Sequence, residues 1–209
     1  MRTTPERKQP SLTTSPVLDR IAANKSNYWV GFFSDPAAAI FLLLWDLVVL
    51  HTNIYFLASS YISGLISWTL FEYCFHRWIY HRGDTLAHAG HRLHHESPKE
   101  LIGMPWFLTT GFLLLVWFLF GSYFQMPYVL SFLAGLTTGF FLYGVFHHVH
   151  HHFEFARGWN RKLRVHHKIH HAFPEVNFGV TTRVWDYVFG TAYDRRRHKL
   201  RISNLRQQS

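Results

Sequence analysis

The stretch MPWFLTTGFLLLVWFLFGSYFQMPYVLSFLAGLTTGFFLYGVFHHVHHH, residues 104–152, decides the fold. It contains two apolar runs of about twenty residues, which is the length that a helix needs to cross a bilayer. The link between them is only about GSYFQM, and neither run contains a charged residue. The stretch therefore predicts two membrane-spanning helices, and a dense group of histidines follows the second.

Two more apolar runs precede this stretch, although Asp46 and His51 interrupt the first of them. The second carries small residues around Gly64, which suit close helix packing in lipid. Buried helices of a soluble protein are the alternative to spanning helices. We predict an all-α integral membrane protein with about four spans. The predicted spans are residues 36–56, 56–75, 104–124 and 127–146.

Composition agrees with a membrane protein. Only 16% of the 209 residues are charged and 18% are aromatic, against about 25% charged in an ordinary soluble protein. The net charge of +9 can indicate nucleic acid or an anionic membrane surface. The apolar runs favour the membrane, and no nucleic-acid-binding module accompanies the charge. The single cysteine, Cys74, excludes an intrachain disulfide and a thiolate cluster.

The basic residues predict the orientation and the domain limits. All 21 Lys and Arg lie before the first span, in the 76–103 loop or after residue 146. With four spans these regions share one side, which the positive-inside rule assigns to the cytoplasm. We expect a disordered cytoplasmic arm over residues 1–27, a membrane domain over 28–194 and a basic tail over 195–209. Both termini are then cytoplasmic.

The histidines form two clusters. Fifteen of the 17 lie in residues 76–95 and 147–171, each just after an even-numbered span. One cytoplasmic helical cap can therefore gather both clusters. Residues three or four apart share a helix face, as in HRLHH (91–95), HHVHHH (147–152) and HHKIHH (166–171). His76 and His81 are five apart, which suits a helix end where the backbone turns.

Imidazoles at these spacings predict a metal site. Imidazole suits Zn, Cu, Fe and Ni better than Mg or Ca, and ten histidines are too many for one ion but suit two. Histidines at a lipid interface are the alternative. The candidate ligands are His76, His81, His91, His94, His95, His147, His151, His167, His170 and His171. His148, His152 and His88 are alternates.

At these residues the sequence resembles the fatty acid hydroxylase superfamily of membrane di-metal oxygenases, which includes sphingolipid hydroxylases and sterol desaturases. The ten candidates match its pattern H-x4-H, H-x2-HH, H-x3-H, H-x2-HH, and NFGVTTRVWDYVFGT (177–191) resembles the tail after its last histidine box. The resemblance implies two iron ions, with zinc conceivable in a purified or inactive form, and O2 as co-substrate. It also implies electrons from a separate donor, a ferredoxin or a cytochrome.

Three features depart from the family pattern or extend it. The third box is doubled, so His148 and His152 compete with His147 and His151. We favour the latter pair because Tyr143 then stands four residues before the first ligand, as the family's Y-D-x-x-H requires, although Gly144 replaces its Asp. The loop between His81 and His91 is shorter than in the sphingolipid enzymes, which leaves the substrate open.

Carboxylates are expected to orient the ligating rings, because a bound imidazole usually donates its other N–H to a carboxylate or a carbonyl. We predict this role for Glu72 and Asp186, with Tyr143 beside the ligands. His88, His150 and His166 are left over; we expect His88 to be an alternative ligand or a supporting group and the other two to be peripheral.

The predicted function is hydroxylation of a lipid C–H bond, most simply on a fatty acyl chain that enters from the bilayer. Desaturation, or action on a sterol or carotenoid, is the alternative within the superfamily. A histidine-rich metal carrier is the non-enzyme alternative. The basic residues Arg157, Arg161, Lys162 and Arg164 predict a docking surface for an acidic donor or for anionic headgroups, or simply reflect the positive-inside rule.

Overall fold

A computed structural model describes residues 16–196, and within them the protein is all helical, without strands. The predicted fold class is confirmed. Eight α-helices follow in chain order: α1 Pro16–Ala22, α2 Lys25–Val48, α3 Ile54–Cys74, α4 Leu86–Glu96, α5 Trp106–Val116, α6 Val129–His152, α7 Gly158–Ala172 and α8 Val184–Val188. π-helical turns extend α3 over Phe75–Tyr80 and α5 over Trp117–Tyr123.

Four helices are long and apolar enough to span a membrane, as predicted: Lys25–Val48, Ile54–Tyr80, Trp106–Tyr123 and Val129–His152. The predicted limits of the first were wrong, since the helix begins eleven residues before Pro36. Asn24 caps it by accepting a hydrogen bond from the Ser26 backbone N–H at 3.0 Å. Pro36 lies near the middle of this helix of 24 residues and is accommodated there, although proline removes one backbone hydrogen bond.

The expected disordered arm also differs from the structure. Residues 16–22 form α1, and Asp19 of α1 makes an ion pair with Arg92 of α4 at 2.7 Å. This contact helps to hold the start of the chain against the histidine-bearing α4. Residues 1–15 and the tail from residue 197 onward, both included in our domain predictions, lie outside the described residues.

Asp46, which interrupted the first predicted span, ties three segments together. Its carboxylate is fully buried and accepts hydrogen bonds from the Thr52 hydroxyl at 2.5 Å and from the backbone N–H groups of Tyr128 and Ser131 at 3.3 and 3.0 Å. The Ser131 hydroxyl also donates to it. Asp46 thus joins the end of α2 to the start of α6, and its burial is compensated.

Small residues set the contact between α3 and α6. A Cβ at Gly64 would overlap the Phe132 carbonyl, a Cβ at Gly135 would overlap the Tyr61 carbonyl, and one at Gly139 would overlap Trp68. The two backbones approach closely because these positions lack side chains, as the sequence predicted for Gly64. Since α3 leads to one histidine cluster and α6 carries another, this contact positions the two clusters.

Replacing Gly135 with leucine is expected to separate α3 from α6, because the new side chain has no room against the Tyr61 backbone. We expect a loss of about 3 kcal/mol or more in stability, typical of severe overpacking, seen as a lower midpoint of thermal unfolding in detergent. Gly111→Leu is the matched control, since a Cβ at Gly111 meets nothing within 4 Å. Equal midpoints for the two variants would contradict this packing.

Candidate metal centre

The ten histidines predicted as ligands come together in two groups of five. Site A consists of His76, His81, His91, His95 and His170, and site B consists of His94, His147, His151, His167 and His171. In each group every residue offers one atom that lies within 4.8 Å of the others. Each site draws on several helices, so neither could be assigned from one histidine box alone.

The local backbone explains how His76 and His81 reach the same site. His76 lies inside the π-helical turn Phe75–Tyr80, and His81 follows it as the C-terminal capping residue. A π-helix closes its hydrogen bonds over five residues, so side chains five apart face the same way. The spacing that fits an α-helix poorly therefore fits this turn. His91 and His95 join them from one face of α4, and His170 from α7.

In site A the ring nitrogens face one another. Nε2 of His91 lies 3.1 Å from Nε2 of His76, 3.1 Å from that of His81 and 3.0 Å from that of His95. Nε2 of His170 lies 3.1 Å from that of His81 and 3.2 Å from that of His95. Five nitrogens thus converge on one point.

Site B repeats the arrangement with ligands from α4, α6 and α7. Nε2 of His171 lies 3.0 Å from that of His94 and 3.2 Å from that of His167. Nε2 of His167 lies 2.8 Å from that of His151. The ring of His147 lies 4.2 Å from that of His94, measured between centroids. His167 is fully buried.

Hydrogen bonds between these rings cannot account for the convergence. His76 and His170 each turn Nδ1 toward a backbone carbonyl, that of Phe178 and that of Val176 at 2.8 Å. Nδ1 must therefore carry the proton, and a neutral ring then presents a lone pair from Nε2. Lone pairs that face one another repel unless a cation lies among them, so the geometry fits a bound metal ion.

Burial keeps the rings in the form that a metal needs. It lowers the pKa of His81 to about 4, with further lowering by the neighbouring His88 and His171, and it lowers the pKa of His171 to about 4. Burial likewise holds the pKa values of His91 and His167 well below the usual value, and neighbouring histidines add to this effect. Neutral imidazoles at pH 7 are the species that bind metal.

The donor set suits a metal ion with more than four ligands. Two nitrogens each about 2.1 Å from one ion lie about 3.0 Å apart at a right angle and about 3.4 Å apart at a tetrahedral angle. The neighbouring pairs in both sites are 2.8–3.2 Å apart. Five donors exceed the four tetrahedral ligands of structural zinc, whereas imidazole as a ligand suits iron and zinc alike.

Glu72 and Asp186 support the sites differently from our prediction, because within residues 16–196 neither bonds to a ligating ring. Glu72 accepts hydrogen bonds from the backbone N–H groups of Val180 and Thr181, at 2.6 and 3.0 Å, and from the Thr181 hydroxyl. Asp186 accepts bonds from the backbone N–H groups of Phe178 and Gly179, at 2.8 and 2.9 Å. The two carboxylates hold the segment 176–181, whose carbonyls receive His76 and His170.

Asp186 also explains one histidine that we expected to be peripheral. Nε2–H of His166 donates to its carboxylate at 2.8 Å, and both side chains are buried. Burial raises the pKa of Asp186, but the hydrogen bonds from His166, Gly179 and Thr191 outweigh it, so the pKa lies below its usual value. The prediction for His166 was wrong because its partner lies twenty residues away in sequence.

His150 was also predicted to be peripheral and is instead buried, with its ring 6.1 Å from that of His167. His88 is buried too, and its Nδ1 donates to the Tyr80 carbonyl at 2.9 Å. It lies outside both five-histidine groups, so it acts as support for the turn before His81. Tyr143 stacks on His147, at 5.6 Å and 12° between the rings, as a neighbour of the ligands.

The doubled third box divides into two faces of α6. His147 and His151 belong to site B, while His148 and His152 stack on each other with centroids 4.1 Å apart. Nδ1 of His148 shares a hydrogen bond of 2.8 Å with the Tyr28 hydroxyl. Sequence reasoning missed Tyr28, because nothing in its neighbourhood indicates that α2 reaches the histidine end of α6.

This division predicts how the four histidines respond to substitution. His147→Ala and His151→Ala are expected to lower the metal content of site B, by one ion per chain at most, because each removes one of five donors. His148→Ala and His152→Ala are expected to keep both ions. The metal content of the purified variants, measured by mass spectrometry against protein concentration, shows which pair binds the ion. Loss of metal only in the His148 and His152 variants would assign that pair as the ligands instead.

A cavity of about 160 Å³ opens between the membrane helices and the histidines. Ligands of both sites line it, namely His91 from site A and His94, His147 and His151 from site B. Apolar side chains such as Phe32, Phe140 and Met104 line much of the remainder, together with a few polar ones that include Asn27 and Asp35. Its volume resembles that of cavities of about 150 Å³ that accept a benzene-sized apolar molecule.

Comparison with known proteins agrees with this site. The chain is 30% identical to a dihydroceramide fatty acyl 2-hydroxylase of Arabidopsis thaliana over 139 residues, covering 62% of this chain and 59% of that protein. It is 31% identical to the ceramide very long chain fatty acid hydroxylase of Saccharomyces cerevisiae over 156 residues, covering 68% and 40%. The chain thus spans less than two thirds of the length of these relatives.

A solved structure of full-length Scs7p, in which only the hydroxylase domain is visible, superposes with a TM-score of 0.62. It is 29% identical, and the match covers 82% of this chain and 69% of that one. The sequence profile of the family described as fatty acid hydroxylase matches residues 61–191, which include all ten histidines of sites A and B. The chain therefore belongs to the fatty acid hydroxylase family.

Proposed function

We propose that the protein is a membrane di-iron oxygenase that hydroxylates a lipid C–H bond with O2, most simply on a fatty acyl chain. One observation carries the proposal: two five-histidine sites border the same apolar cavity between membrane-spanning helices. A metal store needs no such cavity. An unactivated C–H bond demands a metal oxidant, because protein side chains alone do not oxidise it.

The metal sites would be held by the residues of sites A and B. Two bound iron ions would supply the oxidising chemistry with O2 and two external electrons. The chain's own part is to position the donors and the lipid. The carbonyls of Phe178 and Val176 orient two ligands of site A, and the apolar lining excludes water from the reacting carbon.

An acyl chain is favoured as substrate by the family and by the relatives, whose names describe 2-hydroxylation of fatty acids or hydroxylation of ceramide acyl chains. A desaturase, or a sterol or carotenoid hydroxylase, uses the same histidine pattern and is the alternative. The lining of the cavity, with Phe32, Phe141 and Ile102, suits a flexible chain.

A non-enzymatic metal carrier is disfavoured by the spanning helices. A transport pathway needs ionisable groups that are available along the spans. Asp46 and Glu72 are buried there, but hydrogen bonds from the chain itself engage both. Neither carboxylate is therefore available to a passing ion. Asp35, whose Oδ1 has no partner within residues 16–196, is a single group on one helix and does not form a pathway.

We further propose that the histidine sites face the cytoplasm, with both termini on that side, because the basic residues are confined to this end of the spans. A separate electron donor, a ferredoxin or a cytochrome, would dock there. A groove lined by Lys99, Arg164 and Lys168 reaches His151 and His171 of site B, although Arg164 already pairs with Glu154 at 2.9 Å. Arg157, Arg161 and Lys162 are exposed as well.

The proposal is tested by untargeted lipid mass spectrometry of cells with and without the protein, using His167→Ala as the inactive control. A lipid heavier by one oxygen, absent from the control, supports the hydroxylase. A product lighter by two hydrogens identifies the desaturase alternative. Unchanged lipids in cells that supply iron and an electron donor would contradict both.

A further inference from the structure

Asp35 is a buried carboxyl group that the chain leaves without a full set of partners. It lies on α2, is only 6% exposed and lines the cavity that reaches the histidines. Its Oδ1 has no hydrogen-bond partner within residues 16–196. A buried polar group without a partner costs about 1–3 kcal/mol or more, and a hydrogen-bond donor supplied by a bound molecule would remove this cost.

The other buried aspartate of α2 has the hydrogen bonds that a buried carboxylate needs when its role is only structural. Asp46, eleven residues further on, receives hydrogen bonds from Thr52, Tyr128 and Ser131. Its role in packing is complete without a ligand. Asp35 has the same chemistry and comparable burial but faces a cavity, so packing does not account for it.

The position of the carboxyl group relates it to the metal sites. Helix side chains tilt toward the N-terminus, and a Cβ built at Gly31 would lie 3.7 Å from Oδ2 of Asp35. The carboxyl group therefore lies beside Gly31. Tyr28 is three residues before Gly31, about 4.5 Å along the axis, and its hydroxyl bonds to His148 on α6. Measured along the axis of α2, the Asp35 carboxyl group thus lies about one helical turn from Tyr28, which contacts the histidine-bearing end of α6.

The cavity joins this carboxyl group to both metal sites. His91 and His94 on α4 and His147 on α6 line it together with Asp35. A lipid whose chain occupies the apolar part, and whose reacting carbon lies beside the histidines, would bring any nearby polar group within reach of Asp35. A carboxylate oxygen accepts hydrogen bonds from an N–H or an O–H group.

We propose that Asp35 is a specificity-determining residue that accepts a hydrogen bond from an amide N–H or a hydroxyl group of the lipid. This inference rests on the hydroxylase function proposed above and assigns the residue by which that site would prefer lipids with a hydrogen-bond donor a few bonds from the oxidised carbon. Asp35 contacts the lipid and not the oxidised carbon, so it selects the substrate and sets which carbon is presented.

The test is a competition in one reaction with the full-length, iron-loaded protein in lipid vesicles. One substrate is an N-acyl amino alcohol, which offers an amide N–H and a hydroxyl; the other is the methyl ester of the same fatty acid, which offers neither. The ratio of the two hydroxylated products is measured for wild type, Asp35→Leu, Asp35→Asn and Phe33→Leu. Because it is a ratio, a smaller folded fraction does not alter it.

We expect Asp35→Leu to lower the ratio of amide to ester product at least about tenfold, the effect of one buried hydrogen bond. Asp35→Asn keeps an acceptor oxygen and should retain most of the preference. Phe33, which is 67% exposed on the outer face of α2, is the matched control and should leave the ratio unchanged.

An unchanged ratio in Asp35→Leu, with both products formed, would overturn the role of Asp35 and leave the hydroxylase function standing. A wild type without preference for the amide would overturn it as well. Absence of both products from the wild type would instead count against the hydroxylase function itself. If Asp35→Leu forms no product, Asp35→Ala, which also lacks an acceptor, provides the ratio, with the same expected decrease.

Discussion

Replacing His91 with alanine is expected to remove the ion of site A and to reduce hydroxylation at least about a hundredfold. Its Nε2 lies within 3.1 Å of three other ligand nitrogens, those of His76, His81 and His95. The other close nitrogen pairs in site A all involve His170. Loss of the His91 ring therefore opens the centre of the group. His167→Ala is expected to do the same to site B, where His167 is fully buried among the donors.

The measurement is iron per chain by elemental mass spectrometry, followed by product formation. Each variant should retain about one ion instead of two, and both should be inactive because the chemistry needs the pair. His51→Asn is the control: this exposed histidine lies in a turn with φ of 50°, which asparagine tolerates. Retention of two ions in both ligand variants would refute the assignment of sites A and B.

Replacing Glu72 with alanine is expected to destabilise the protein by about 3 kcal/mol and to weaken iron binding at site A. The change leaves two backbone N–H groups and the Thr181 hydroxyl without their acceptor in a buried segment, at about 1–3 kcal/mol for each unsatisfied group. Release of this segment also removes the Phe178 carbonyl from His76, which frees the ring to rotate.

Thermal unfolding in detergent and iron content together check this prediction. Glu72→Gln is the matched control, since its amide oxygen can still accept the bonds from Val180 and Thr181; it should cost about 1 kcal/mol and retain both ions. A Glu72→Ala protein as stable and as rich in iron as the wild type would show that the segment 176–181 does not depend on this carboxylate.

The architecture could be predicted because its signals are local. Predominantly apolar runs of about twenty residues define the spans, and histidines at repeated spacings define the ligands. The start of the first span was predicted eleven residues too late, because polar residues before Pro36 interrupt the apolar pattern of α2. The register of the doubled third box was favoured by Tyr143, which in the structure stacks on His147.

The supporting contacts could not be predicted, because they join residues far apart in sequence. Glu72 bonds to Val180, 108 positions later, and Tyr28 to His148, 120 positions later. A sequence shows that a carboxylate stands near a ligand but not which backbone it holds. The same limit made His150 and His166 look peripheral, and it hid Asp35, whose significance depends on the cavity that it lines.

The most direct test of the account is oxygen labelling with the purified, iron-loaded protein, an electron donor and a lipid substrate under ¹⁸O₂. If the two histidine sites support an oxygenase, the new hydroxyl group carries the heavy isotope, and product mass rises by that of one ¹⁸O atom. His91→Ala and His167→Ala should give no labelled product. A hydroxylated product without the label, or labelled product from both variants, would contradict the claim that these two sites oxidise lipid with O2.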